Sequence, residues 1–170
     1  MKRSNLLRLG MFMAFLTVIS VAAKAQGEKA SPARTAEGTI NGTQVTINYS
    51  SPAVKGRTIW GDLVPMGKVW RAGANEATTV EFSEDVKVEG QALAAGKYSF
   101  FIIPGESESI VIFNKTTGQW GTQYDESQDA LRVNVSPQQS SQFEERLVYE
   151  VKSDGIEVRW DQGKGFIRVE

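Results

Sequence analysis

The sequence predicts an all-β protein, a single antiparallel β-sandwich of jelly-roll-like or similar type, with little helix. Three observations predict this class. Apolar and polar residues alternate over several short stretches, glycines separate those stretches, and no long stretch repeats with the 3.6-residue period of a helix. Side chains two positions apart lie on the same face of a strand. The alternation therefore indicates strands with one buried face.

The first alternating stretch places Val45, Ile47 and Tyr49 on one face and the polar residues between them on the other. The same pattern recurs at residues 78–82, 131–135, 147–151 and 156–160. Two further runs, YSFFII at 98–103 and IVIF at 110–113, are almost continuously apolar. We expect these two runs to form central strands that are covered on both faces.

Turn signals fit this arrangement of strands. Asn41-Gly42 and Asp154-Gly155 are pairs that adopt the positive φ angles of tight hairpins. Between the strands, residues 137–146 (PQQSSQFEER) are the best candidate for a short turn of helix. The sequence thus predicts hairpin connections and almost no helix.

Residues 1–25 have the layout of a secretory signal peptide. Lys2, Arg3 and Arg8 precede an uncharged apolar run, and Ala23 and Ala25 place small residues before a cleavage site at Gln26. The apolar run is shorter than the roughly 20 residues that a bilayer span needs. We expect an exported protein, periplasmic or extracellular, without a stable membrane anchor after cleavage.

The rest of the chain divides into a flexible leader at 26–37 and a single domain at 38–170. Removal of the signal peptide leaves 15 basic and 20 acidic residues, a net charge of −5. A mildly acidic protein does not hold polyphosphate chains by bulk charge. We therefore expect no nucleic acid among its partners.

The chain contains no cysteine and no histidine. Disulfides, thiolate nucleophiles, histidine bases and histidine-bound zinc or iron are therefore excluded by composition, and we expect no cofactor. Asp125, Ser127 and Asp129 are spaced like the start of a calcium loop, but Ala130 and Ser136 replace the required glycine and glutamate. This mismatch excludes an EF-hand, and a looser calcium site is the alternative to no metal at all.

Two segments, 51–76 and 114–130, do not alternate and contain three of the four tryptophans. Long loops on a rigid scaffold often carry function. We expect the loop from Arg57 to Glu76 to form one wall of a concave site, completed by the second segment. The candidate ligand-binding residues are Arg57, Trp60, Trp70, Arg71, Asn75, Glu76, Trp120 and Tyr124.

A purely structural interpretation of the same residues remains open. In that interpretation Trp60 and Trp70 fill the end of the sandwich, Arg71 pairs with Glu76, and Asn75 bonds to the backbone of its own loop. Aromatic faces beside planar polar groups equally suit recognition of a glycan, a peptide or a small metabolite. Sequence alone does not separate a binding site from the skeleton of a loop.

A carboxylate-based hydrolase such as a glycosidase is a further alternative. Such an enzyme needs two carboxyl groups that face each other across the substrate. Asp62, Glu76 and Glu81 have the required side chains, but their spacing selects no pair. We therefore predict no catalytic residue and favour non-catalytic binding, with a structural or partner-binding module as the remaining possibility.

The longest motif is SPAVKGRTIWGDLVPMGKVWRAGANEATTVEF, followed by VEGQALAAGKYSFFIIPG, IVIFNK and QWG. These stretches resemble the secreted bacterial family called domain of unknown function 2911. The resemblance extends from about Thr43 to the C-terminal strand. It implies an exported single-domain protein, and it supplies no catalytic residues because no activity is established for that family.

Overall fold

The computed structural model describes residues 30–170, which form ten β-strands and no α-helix. The all-β, antiparallel sandwich class is confirmed. One 3-10 turn occurs, at Glu126–Gln128. The strands are β1 (Ala33–Ile40), β2 (Thr43–Ser50), β3 (Thr79–Phe82), β4 (Val86–Val88), β5 (Gln91–Leu93), β6 (Gly96–Ile103), β7 (Ser109–Asn114), β8 (Asp129–Val135), β9 (Gln138–Lys152) and β10 (Gly155–Arg168).

The first layer is a six-stranded antiparallel sheet in the order β1-β2-β3-β6-β7-β8. Strands β6 and β7 lie inside this sheet and are buried on both faces. Phe100 and Phe113 point toward the second layer, whereas Phe101 and Ile112 belong to a separate apolar cluster on the opposite face. The prediction of two central, doubly covered strands is therefore confirmed.

The second layer is built around the long β9–β10 hairpin. Strand β4 joins the edge of β10, because Lys87 and Glu170 exchange two backbone hydrogen bonds of 2.7 and 2.8 Å. At the other edge of the hairpin, Ala53 forms an antiparallel bridge with Arg146 of β9. The start of the long loop at 51–76 is thus attached to the second layer.

The core fills the space between the two layers. Ile47, Val80 and Phe100 of the first layer meet Leu147 and Ile156 of the second, and all five are completely or almost completely buried. Each such side chain contributes about 1.5–3 kcal/mol on burial. With no disulfide available, this apolar contact holds the layers together.

Two boundaries differ from the prediction. Strand β1 begins at Ala33, so residues 33–37 belong to the sheet and not to a leader. β1 is an edge strand whose side chains are mostly exposed, and its sequence therefore lacks the apolar alternation that marks the other strands. The short helix predicted within 137–146 is also wrong, because this polar segment pairs with β10 as the first part of β9. The predicted signal peptide, its cleavage site and residues 26–29 lie outside the described residues.

One of the two predicted hairpin turns has the expected backbone. Asn41 and Gly42 have φ angles of 49° and 94°, as a tight turn between β1 and β2 requires. The second tight hairpin is present, but Asp154-Gly155 is not its turn pair, because the β9–β10 loop consists of Ser153 and Asp154, and Gly155 is the first residue of β10. Gly155 is needed for close approach, since a Cβ there would lie 2.3 Å from the carbonyl oxygen of Ile167.

An ionic network covers one face of the β9–β10 hairpin. The Arg159 guanidinium contacts Glu144 at 3.2 Å and Glu150 at 2.8 Å, and it also bonds to the mostly buried Glu157. The hydrogen bonds from Arg159 and Lys152 lower the pKa of Glu150 to about 2. These charges are held in pairs and therefore stabilise the hairpin.

In residues 30–170, no helix has the length and apolar character needed to cross a membrane.

Candidate functional site

A cleft of about 380 Å³ lies between the two layers at one end of the sandwich. Its walls come from the long loop, from the ends of β6, β7 and β8, and from the second half of β10. Three tryptophans, Trp60, Trp70 and Trp160, line it together with apolar side chains such as Ile102 and Val135. We call this space the tryptophan cleft.

The three indoles of the tryptophan cleft pack directly on one another. Trp70 and Trp160 are stacked, with ring centroids 5.8 Å apart and planes inclined by 15°. Trp60 stands edge-on to both, at 5.7 Å from Trp70 and 6.2 Å from Trp160. Such edge-to-face and stacked pairs fix the orientation of each ring, so the cleft has a preformed aromatic wall.

Backbone bonds hold the two loop tryptophans in place. Trp70 exchanges hydrogen bonds of 2.8 and 2.9 Å with Ile102 of β6, which adds it to the first layer for one residue. Trp60 forms a bridge with Val64 across a turn. Gly163 of β10 lies so close to the Trp60 ring that a Cβ there would be 2.7 Å from it. Glycine at 163 is therefore required for Trp60 to reach the cleft.

Strand β10 becomes irregular where it borders the cleft. Its pairing with β9 shifts register between Arg159 and Asp161 and again between Asp161 and Gly163. Asp161 has a φ angle of 55°, which is uncommon for a residue other than glycine. β-Bulges of this kind redirect side chains and are frequent beside functional sites.

The polar groups of the cleft are distributed unevenly. Glu106 and Asp161 contribute carboxylates to its lining, and Lys164 contributes an ammonium group that is bound to Glu157 at 2.7 Å. Inside, the indole nitrogens of Trp60 and Trp160 are buried and meet no hydrogen-bond acceptor within residues 30–170. The lining of the cleft thus includes two carboxylates, and two of its three tryptophans have buried indole N–H donors without an acceptor.

Three of the candidate residues brace the long loop. Arg57 donates to the carbonyl oxygens of Ala53 and, at 3.1 Å, of Val54. Arg71 donates to the carbonyl oxygen of Asn75 at 3.2 Å. Its side chain also covers Gly121, where a Cβ would lie 2.2 Å from the Arg71 Cδ atom.

Asn75 completes this brace with a φ angle of 62°, and its amide nitrogen lies 3.3 Å from the Ser50 hydroxyl oxygen. No salt bridge joins Arg71 to Glu76 in the described part of the chain, so the expected pairing of these two residues is wrong. The hydrogen bonds of Arg57, Arg71 and Asn75 therefore stabilise the conformation of the long loop.

Glu76 and Trp120 lie on the opposite face of the first layer from the tryptophan cleft. An antiparallel bridge places them side by side, and Trp120 is 49 % exposed. Glu76 borders a shallower groove with polar residues of β1, β2 and β3, among them Arg34, Asn48 and Thr79. This groove has no aromatic wall comparable to that of the cleft.

Tyr124 belongs to a second group on this opposite face. Its ring packs on Phe101 at 5.0 Å, and its hydroxyl donates to Asp129 at 2.6 Å and accepts from Arg132 at 2.7 Å. Burial and the hydrogen bond to Asp129 raise the pKa of Tyr124 to about 12. We call Phe101, Tyr124, Asp129 and Arg132 the outer cluster.

The expectation of one concave site built from both long segments is therefore wrong. Trp60 and Trp70 line the cleft between the layers, whereas Trp120 and Tyr124 lie across the six-stranded sheet from them. Sequence reasoning missed Trp160, because it sits in a regularly alternating strand. A signal was present, since the polar, glycine-containing stretch DQGKG directly follows Trp160 and interrupts the alternation of apolar and polar residues.

The carboxylates considered for hydrolysis are dispersed. Neither the cleft nor the shallow groove is lined by more than one of Asp62, Glu76 and Glu81. The carboxylates considered for calcium serve the protein itself, since Asp125 caps the 3-10 turn and Asp129 belongs to the outer cluster. Among residues 30–170, no three acidic side chains are grouped as a metal ion would require.

Fold and site together define an antiparallel β-sandwich with an aromatic cleft at one end of its core. Residues 31–169 match the family described as protein of unknown function (DUF2911), and the chain belongs to that family. Among curated proteins and among solved structures, none matches the chain. The family supplies no activity, so the tryptophan cleft is the feature that can indicate a function.

Proposed function

We propose that this protein binds a small, mainly apolar ligand in the tryptophan cleft and does not catalyse a reaction. One observation carries the proposal: three tryptophans from two separate parts of the chain converge on an open space between the layers. If these side chains served only to fill the core, we would expect the surrounding residues to pack against them without leaving such a space. Instead the rings pack on one another and leave a cleft beside them.

The dimensions and walls of the cleft support a small ligand. Binding pockets for small molecules usually have volumes of about 300–1,000 Å³ and are lined mainly by apolar and aromatic side chains, with a few polar groups. The cleft has about 380 Å³ and this composition. Its rings are fixed by mutual packing and by Gly163, so a ligand would meet a wall that is already ordered.

Of the ligand classes considered from the sequence, a small metabolite suits the cleft better than an extended glycan or peptide. An extended ligand needs a long groove with polar groups along it, whereas this space is compact and bounded by both layers. Export through a signal peptide remains part of the proposal. The ligand would then be a molecule met outside the cytoplasm.

N-Phenyl-1-naphthylamine, an uncharged probe whose fluorescence rises in apolar surroundings, tests the proposal. We expect saturable binding with one probe per chain. Met66 lines the cleft and is 41 % exposed, so Met66→Asp should weaken binding by about 5- to 10-fold without unfolding the protein, because it places a charge against an apolar ligand.

The matched control is Leu63→Asp, since Leu63 lies in the same loop with 44 % exposure but does not line the cleft. It should bind the probe within twofold of the natural protein, as should Glu76→Ala on the opposite face. Equal losses in Met66→Asp and Leu63→Asp, or no saturable binding by the natural protein, would contradict the proposal.

A further inference from the structure

We infer that the ligand of the tryptophan cleft is not an anion and carries a hydrogen-bond acceptor, which accepts from the indole N–H of Trp60 or Trp160. This inference rests on the proposed function and specifies its ligand. The observation behind it is that both indole nitrogens are buried without an acceptor and belong to residues that line the same cleft.

The two unpaired donors contrast with the rest of the core. Tyr149 donates its hydroxyl to the Ala72 carbonyl at 2.7 Å, and Thr78 donates to the same oxygen at 2.9 Å. Among the buried side-chain nitrogen and oxygen atoms of residues 30–170, the indole nitrogens of Trp60 and Trp160 are the two that lack a hydrogen-bond partner. Buried polar groups are nearly always hydrogen-bonded, and exceptions call for a specific explanation.

A ligand acceptor explains both exceptions at once. An apolar side chain at either position would avoid the cost of an unpaired donor. A ligand whose acceptor meets an indole N–H recovers the hydrogen bond that the empty protein lacks. Discrimination then follows, because an otherwise equal ligand without an acceptor leaves the donor unpaired.

Access to the nitrogens requires a small movement beside the cleft. Gly163 lies against the Trp60 ring at its indole nitrogen. It follows the bulge at Asp161, where β10 leaves its regular register with β9. A segment that is already out of register can shift without breaking a continuous ladder of hydrogen bonds. The bulge is therefore where the protein can open toward a ligand.

The charges of the cleft argue against an anionic ligand. Glu106 and Asp161 repel an anion, and Lys164 does not offset them because it is bound to Glu157. An anion therefore finds no free positive charge in this lining, and an unpaired buried charge is strongly disfavoured.

Three probes of nearly equal shape separate these requirements: naphthalene-2-carboxamide, 2-methylnaphthalene and naphthalene-2-carboxylate. The first is uncharged with an acceptor, the second lacks an acceptor, and the third is anionic. We expect the carboxamide to bind about 3- to 10-fold more tightly than either of the others in calorimetric titrations, since one hydrogen bond distinguishes it from the hydrocarbon.

The indole N–H resonances of ¹⁵N-labelled protein give a second readout that needs no variant. Binding of the carboxamide should move the Trp60 or Trp160 resonance downfield, as expected for a new hydrogen bond, and should leave the resonance of Trp120 unchanged. Trp120 is the matched control, because it is 49 % exposed and does not line the cleft.

The outcomes distinguish the inference from the proposed function. If 2-methylnaphthalene binds as tightly as the carboxamide, or no indole resonance moves downfield, the cleft binds ligands but the acceptor requirement is wrong. Tighter binding of the carboxylate would overturn the exclusion of an anionic ligand. If none of the three probes binds although N-phenyl-1-naphthylamine does, the inference alone fails. If N-phenyl-1-naphthylamine does not bind either, the proposed function fails and the inference fails with it.

Discussion

The two faces of the six-stranded sheet differ in whether the polar groups of their aromatic side chains are hydrogen-bonded. In the outer cluster, the Tyr124 hydroxyl both donates to Asp129 and accepts from Arg132, so the polar end of the ring is fully used. In the tryptophan cleft, two indole N–H groups meet no acceptor. Both regions are aromatic and both lie beside long loops. Only the second one leaves hydrogen-bonding capacity unused.

This difference distinguishes aromatic residues whose polar groups are used within the fold from those that keep an unpaired donor. A polar group that is satisfied by its own chain stabilises the fold and has nothing left for a ligand. Tyr124 is of this kind, although it appears in the candidate site predicted from the sequence. Trp160 was absent from that prediction, yet it retains a free donor beside an open cleft.

The largest expected effect concerns the two most different tryptophans. Trp160 is 2 % exposed and packs on two other indoles, whereas Trp120 is 49 % exposed. Trp160→Ala should lower the free energy of unfolding by about 3–5 kcal/mol, because it leaves a cavity in the core. Trp120→Ala should lower it by about 1 kcal/mol or less. Urea unfolding followed by circular dichroism measures both values. Similar costs for the two substitutions would mean that the faces do not differ as described.

An intermediate effect is expected in the outer cluster. Arg132 contacts Asp129 at 2.7 Å, the Tyr124 hydroxyl at 2.7 Å and Glu126 at 3.0 Å. Arg132→Met should lower the free energy of unfolding by about 1–2 kcal/mol, because Asp129 loses its charged partner. Binding of N-phenyl-1-naphthylamine should stay within twofold. The exposed Arg168 provides the control, and Arg168→Met should change stability by less than about 0.5 kcal/mol. A loss of probe binding in Arg132→Met would show that the two faces are coupled.

The smallest expected effect is a decrease in the free energy of unfolding at low pH. Arg159, followed by Lys152, lowers the pKa of Glu150 to about 2, below its value in the unfolded chain. The ionised form is therefore favoured by folding, and its contribution is complete above about pH 4.5 and is lost as the pH falls toward 2. Because Glu150 is 38 % exposed, solvent screening limits this contribution to about 1 kcal/mol. Chemical unfolding at pH 5 and pH 2.5 should show the loss. Arg159→Met should reduce it, and an unchanged acid dependence in that variant would contradict the assignment to Arg159.

The sequence predicted the layers of the fold well because a strand with one buried face has an apolar residue at every second position. Strands β2, β6, β7 and the central parts of β9 and β10 all carry apolar residues at the spacing that their buried faces require. The predictions failed in segments that lack this apolar pattern. β1 is an exposed edge strand, and the first part of β9 is polar on both faces.

The site was predicted only in part for a different reason. Trp60 and Trp70 stand out because they interrupt strand alternation, and both do line the cleft. Which face of the sheet a loop covers is decided by long-range pairing, such as the bridge between Trp70 and Ile102, and this pairing has no local signal in the sequence. Trp120 and Tyr124 were therefore grouped with residues that lie across the sheet.

The long loop is attached to both layers, and this has a mechanical consequence. Near its start, Ala53 is bridged to Arg146 and the Ser51 hydroxyl donates to the Leu147 carbonyl at 2.7 Å, so this end moves with β9. Trp70, further along, is bonded to β6 in the other layer. The segment between these two attachment points spans the sandwich and contains Trp60. Any sliding of one layer relative to the other would pull on this segment and tilt the Trp60 indole, which forms part of the wall of the cleft.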